Sequence, residues 1–153
     1  VNSILSENKN MKKLSFYLSY AGALPLIICT ACFWLDITVI PLLGTTEQIL
    51  SVYLLSIATF MAGSHWGQHL HLENHWEYYL PILSNIITIV LWLSFLWLPF
   101  KPLLASFVVI FLGLLVIDQR LFQYGLITQH YFRTRCLVTT LVILTIIISG
   151  IMA

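Results

Sequence analysis

Apolar runs, most of them close to the roughly 20 residues that a helix needs to cross a bilayer, follow one another along this chain with short polar breaks between them. Charged residues fall in the breaks, so the pattern reads as successive membrane spans. Five spans are predicted. The first covers about Leu14–Asp36, LSFYLSYAGALPLIICTACFWLD, with Pro25 inside it, where a bilayer helix tolerates a kink better than a soluble one. A break follows at Pro41–Thr46, with Gly44 as its turn residue. Thr45 and Gln48 stand at capping-box spacing, which starts a second helix over about Glu47–Leu70. The third is expected over about Tyr79–Leu98, entered through Pro81 and closed by Pro99. After the tight turn LPFKP, the fourth runs over about Leu103–Ile117 and the fifth over about Cys136–Met152. A polar basic segment, residues 1–13, precedes this single domain of residues 14–153, which contains no internal repeat.

Composition removes the soluble alternative. Hydrophobic residues make up 59% of the 153 positions and charged residues 8%, and the mean hydropathy is +0.93. A soluble domain carries about 25% charged residues, so this chain cannot build a wetted surface. The fold class is all-α, a polytopic membrane protein. A net charge of +1 and no basic run longer than Lys12-Lys13 give no footing for nucleic acid. The cations do orient the spans. Lys9, Lys12 and Lys13 precede the first span, Arg120, Arg133 and Arg135 lie between the fourth and fifth, and Lys101 falls on the other side. The N-terminus is therefore expected in the cytoplasm and the C-terminus outside. MKKLSFYLSYAGALPLIICTAC also has the basic, apolar, small-residue order of a signal peptide, but it is long enough to span and is expected to be a retained helix.

The stretch GSHWGQHLHLENHWE, Gly63–Glu77, holds four of the five histidines. His65 and His69 are one helical turn apart and share a face, and zinc and iron sites do use such pairs. Such sites need further ligands, for which Glu73, Glu77, Asp118 and His130 are available. A zinc or iron centre on His65, His69, His71 and His75 is thus the alternative reading. Against it, the chain has no second histidine cluster, and His130 falls in a loop. The favoured reading has no metal and no other cofactor. In it His69, His71 and His75 join Trp76, Tyr78 and Tyr79 as the wet, aromatic-belted end of the second helix. His65 lies a turn deeper among apolar and small residues, where an unpartnered polar side chain is costly, so it carries a specific interaction. Gly63 and Gly67 form a small-xxx-small pair for helix packing.

Asp118, in VIDQR, is the acidic residue at a span end on this side, with Arg120, Arg133, Arg135 or His65 as its partner. Arg120 is the weakest choice, because residues two apart on a helix diverge. Two roles remain open, an ion pair tying the exit of the fourth span to the loop before the fifth and a proton or ligand site. Cys29 and Cys32 form a CxxC near the outer end of the first span, but Cys136, on the other side, leaves them without a second pair for disulfide exchange. They read as packing residues.

YAGALPL (Tyr20–Leu26), FMAGSHWG (Phe60–Gly67) and the pattern DQRL…YFRTR (Asp118–Arg135) together resemble the DUF3429 family of small multi-pass membrane proteins, which are transmembrane protein 69-like. The resemblance runs from about Leu14 to the C-terminus. Relatives are similar to F-x-G-G-[HR]-W-G, where this chain has Ala62 in place of a glycine and Ser64 in place of a bulkier apolar residue. It implies an inner-membrane protein, bacterial or mitochondrial, and supplies no reaction. It also implies that position 65 needs a basic donor beside Trp66, which moves His65 toward a pair with Asp118 or an anionic head group.

The expected function is an accessory or ligand- and lipid-binding subunit, with a polar patch at the cytoplasmic leaflet built from His65, Trp66, Asp118, Arg120 and Arg133. Its expected partners are membrane lipids and other membrane-protein subunits or a second copy of the chain. A metal-dependent membrane redox protein or enzyme is the alternative. A small transporter comes third, because the outer halves of the spans offer few polar groups beyond Ser, Thr and Asn85. No catalytic residue is assigned.

Overall fold

A computed structural model describes residues 21–69 and 76–153. The described chain is helical apart from one small hairpin: α1 (Leu24–Trp34), β1 (Val39–Ile40), β2 (Gly44–Thr45), α2 (Thr46–His69), α3 (Trp76–Trp97), α4 (Phe100–Gln123) and α5 (Gln129–Met152). Four of these helices, α2 to α5, are long and apolar enough to cross a membrane, whereas α1 is a shorter apolar helix. Residues 1–13 and the start of the first expected span, 14–20, lie outside the described residues.

That first span does not run through as one helix. Gly22 and Ala23 form a turn, and Pro25 opens α1 at its first positions rather than kinking its middle. The missing N–H of Pro25 is therefore one that needs no helical partner. The break frees the Gly22 carbonyl, and the Tyr53 hydroxyl of α2 donates to it at 2.6 Å, as a break in an apolar setting requires. Hydropathy misses this turn because the composition stays apolar across it.

α1 ends in a Schellman motif. Ile37 N–H donates to Cys32 O at 2.9 Å and Asp36 N–H to Phe33 O at 3.2 Å, with Asp36 left-handed at φ 55°. The hairpin follows, pairing Val39 with Thr45 and Ile40 with Gly44. α2 starts as the capping spacing predicts, with Gln48 N–H donating to Thr45 Oγ1 at 3.2 Å. α3 begins three residues earlier than expected and takes Pro81 into its body.

The largest departure is at α4 and α5. The fourth span was expected to end at Ile117 and the fifth to begin at Cys136, yet α4 runs to Gln123 and α5 starts at Gln129. Asp118, Arg120, His130, Arg133 and Arg135 are thus helical, and His130 is not in a loop. Helical hydrogen bonding continues past the point where the apolar run stops and polar residues appear. The true connection, Tyr124–Thr128, closes on a second Schellman motif. Leu126 N–H reaches Leu121 O at 2.9 Å and Gly125 N–H reaches Phe122 O at 3.0 Å, with Gly125 at φ 71°. Thr128 then caps α5, its side chain accepting from Tyr131 N–H.

α2 packs against α1, α3 and α4, and α5 packs against α4 and α1. The core is one cluster centred on Phe107, Phe111 and Leu114 of α4 with Leu50, Leu54 and Ala58 of α2. Polar contacts fasten the neighbours: Ser84 of α3 donates to Ala62 O at 2.7 Å, and the Thr30 and Ser149 hydroxyls of α1 and α5 meet at 3.1 Å. Bonds of this kind across membrane helices contribute about 0.6–2 kcal/mol each.

Candidate functional site

The apolar stripe of α2 runs through Leu50, Leu54, Ala58, Met61 and Ala62, and the next position on it is His65. That of α4 runs through Phe107, Phe111 and Leu114, and its next position is Asp118, before Leu121. Both polar side chains are therefore aimed into the bundle by the same periodicity that buries their apolar neighbours. His65 is 1% exposed and Asp118 0%.

The two meet. His65 Nε2 lies 2.8 Å from Asp118 Oδ1. The other carboxylate oxygen, Oδ2, accepts from Arg135 Nε of α5 at 2.9 Å. An arginine is always cationic, so its partner is the ionised carboxylate, which can only accept. Facing that carboxylate, His65 Nε2 is assigned as the donor. Arg135 also extends Nη2 to Ser64 Oγ at 3.2 Å and to Met61 O at 3.5 Å, while Ser64 Oγ itself donates to Met61 O at 2.7 Å. The guanidinium sits 5.5 Å from the ring centroid of Tyr131, one turn earlier on α5, in cation–π range. The Tyr131 hydroxyl accepts from Gln68 Nε2 at 3.2 Å.

The cluster joins α2, α4 and α5 at one end of the bundle. Each of these helices has 24 residues, about 36 Å at 1.5 Å per residue, against a hydrocarbon core of about 30 Å. His65, Asp118 and Arg135 stand four to six residues from the helix ends, roughly 6–9 Å. In a centred bundle they lie a few ångströms inside the hydrocarbon edge, where an ion needs a partner.

The other expected patch residues are placed differently. Arg120 and Arg133 are exposed at the same end, and among the described residues no hydrogen bond or ion pair joins either to Asp118. Trp66 is exposed. Arg135, one of four partners considered, is the cation in contact, and Ser64 was missed. The signal was the α5 stripe Thr139, Val142, Ile146, Ser149: Arg135 continues it one turn back, whereas Arg133 does not. Gly63 and Gly67 have nothing within 4 Å of a modest added side chain, so among the described residues neither meets another helix.

Of the alternative metal set, His71 and His75, the candidate ligand Glu73, and the side chains of His69 and Glu77 lie outside what is described. Among the described residues no group of three His, Cys, Asp or Glu is arranged to hold a metal ion. Cys29 is buried in the core, and Cys32 and Cys136 are partly buried thiols. At the opposite end of the bundle, a cleft of about 240 Å³ is lined by Asp36, Thr46 and Glu47 among others.

Four apolar helices of spanning length, three of them joined by a buried polar cluster near one end, have the pattern of a multi-pass membrane protein. The chain belongs to the family described as protein of unknown function (DUF3429), whose model matches residues 11–151. No curated protein and no solved structure matches it.

Proposed function

We propose that the chain is an inner-membrane accessory protein of five spans whose basic end binds the head groups of anionic phospholipids. One observation carries this reading. The first two turns of α5 hold His130, Arg133 and Arg135, and no acidic residue stands in the first turn. A helix N-terminus bears about half a positive charge, so cations there repel it. Asp118 neutralises Arg135. Arg133, together with Arg120 in the last turn of α4, is left for an anion from outside the described chain. A phosphodiester at the head-group level supplies it, and arginine suits phosphate through its paired donors. The buried cluster then has a structural role, holding α4 and α5 so that the two exposed arginines share one surface.

The test is the phospholipid that remains bound after purification from native membranes, read by mass spectrometry. The wild type should retain anionic over zwitterionic lipid. Since each basic residue at an anionic surface contributes about 1 kcal/mol, Arg120→Gln with Arg133→Gln should weaken that preference about tenfold or more. Equal retention of both lipid classes by the wild type sinks the reading.

The five-span topology rests on length and charge. α1, at 11 residues, becomes long enough only with residues upstream of it. Among the described residues, Arg120, Arg133 and Arg135 share one end, while Lys101 lies with Asp36 and Glu47 at the other. The positive-inside rule places the arginine end in the cytoplasm. A reporter inserted in Tyr124–Thr128 should therefore be active inside, and one fused after Ala153 outside. Activity of both on one side would overturn the topology.

A further inference from the structure

α3 is the edge helix of the bundle. It packs on α2 and, less, on α4, and 17% of its span is buried against 28–39% for the other long helices. Its inward face is Leu80, Ser84 and Leu91. About 140° round the helix, at 100° per residue, Tyr78, Ile82, Asn85, Ile89, Trp92 and Leu96 form a second stripe, every member exposed. Its spacing alternates four and three residues. That is the 3.5-residue repeat of a left-handed helix pair, with Ile82, Ile89 and Leu96 as one set of seam positions and Tyr78, Asn85 and Trp92 as the other.

Asn85 is the anomaly. It stands about one and a half residues from the middle of the 22-residue helix, within about 2 Å of the midplane of a centred span. Head groups are then roughly 13 Å away, beyond the reach of so short a side chain. Among the described residues no hydrogen bond reaches its carboxamide. Two donors and an acceptor facing hydrocarbon are costly, so something polar must cover them.

We propose that α3 pairs with α3 of a second copy of this chain, with Asn85 against Asn85. A strip about 33 Å long and 10 Å wide covers roughly 300–400 Å² per copy. That is less than half of the about 800 Å² per partner in a standard stable interface, and lipid tails compete equally for apolar contact. Apolar packing therefore does not select the occupant; the amide does. Copies sharing one topology pair parallel about a twofold axis along the membrane normal, which sets identical residues opposite each other at identical depth. A carboxamide is self-complementary there: each donates one N–H to the other's oxygen. A single polar residue in an apolar seam also fixes the register.

The test is energy transfer between full-length copies carrying donor or acceptor dyes at the C-terminus, in lipid vesicles, as the protein-to-lipid ratio is varied. The wild type should associate. Asn85→Leu removes both amide bonds and should raise the dissociation constant about 10- to 100-fold, while Val109→Leu, on the exposed face of α4, should not change it. Among the described residues no hydrogen bond reaches the Asn85 side chain, so the leucine variant should keep the wild-type unfolding midpoint. In a variant with Cys29, Cys32 and Cys136 changed to Ala, Ile89→Cys should oxidise to a covalent dimer, and Val109→Cys should not. A monomeric wild type, association indifferent to Asn85→Leu, or a cross-link from position 89 to a different protein each overturns the proposal.

Discussion

Asp118→Ala should remove most of the folded protein from the membrane. The substitution leaves the Arg135 guanidinium inside the bundle without its carboxylate and the His65 donor without an acceptor. Breaking one side of a buried ion pair costs about 3–5 kcal/mol, a large part of the 5–15 kcal/mol that holds a typical domain. Asp118→Asn should be nearly as damaging, because an amide oxygen accepts a hydrogen bond but does not neutralise the guanidinium. The informative comparison is Asp118→Leu combined with Arg135→Met. That pair removes both charges and fills the space with apolar atoms, so it should be better folded than Asp118→Ala, as replaced buried pairs usually are. Thermal unfolding of the purified variants in detergent reads the order. A double variant no better than Asp118→Ala would mean that the charges act in something other than holding the helices.

The part of this cluster whose placement was legible in the sequence is the part lying on an uninterrupted apolar stripe. His65 follows Met61 by four residues within the expected second helix, so the sequence assigns it to the core face. Asp118 and Arg135 each lie one residue outside an expected span, Asp118 past Ile117 and Arg135 before Cys136, so apolar periodicity does not reach them and only their pairing is readable. Hydropathy reports where an apolar run ends, whereas a helix ends where its carbonyls find other donors, here at Gly125, and starts where its free N–H groups find an acceptor, here at Thr128. Once α5 is known to begin at Gln129, Arg135 falls on the stripe of Thr139 and Val142, and Arg133 falls off it. The turn at Gly22–Ala23 was hidden for a related reason: its stabilising donor, Tyr53, is 31 residues away in sequence. The capped start of α2, by contrast, depends on two residues three apart and was readable in full.

A second arginine at position 65 tests the charge balance directly. The resemblance to relatives with a basic residue there suggests that Arg should replace His65 better than Gln does, but the geometry gives a conditional answer. Asp118 already holds one guanidinium on Oδ2, and His65 is buried at 1% exposure. In the wild-type background, His65→Arg therefore adds a buried cation with no second carboxylate beside it, at a penalty of several kcal/mol. His65→Gln keeps a neutral N–H donor of similar reach and should cost about 1–2 kcal/mol, the scale of one weakened hydrogen bond. With Arg135→Gln the order should invert. That single change leaves Asp118 without a cation and should cost about 3–5 kcal/mol, and His65→Arg added to it returns one cation to one carboxylate. The double variant should unfold at a higher temperature than either single variant, with a coupling of about 1–3 kcal/mol in a double-mutant cycle. A metal centre on His65 predicts no such rescue, since arginine is a poor ligand in either background. Additive losses from His65→Arg and Arg135→Gln would show that the two side chains do not share Asp118.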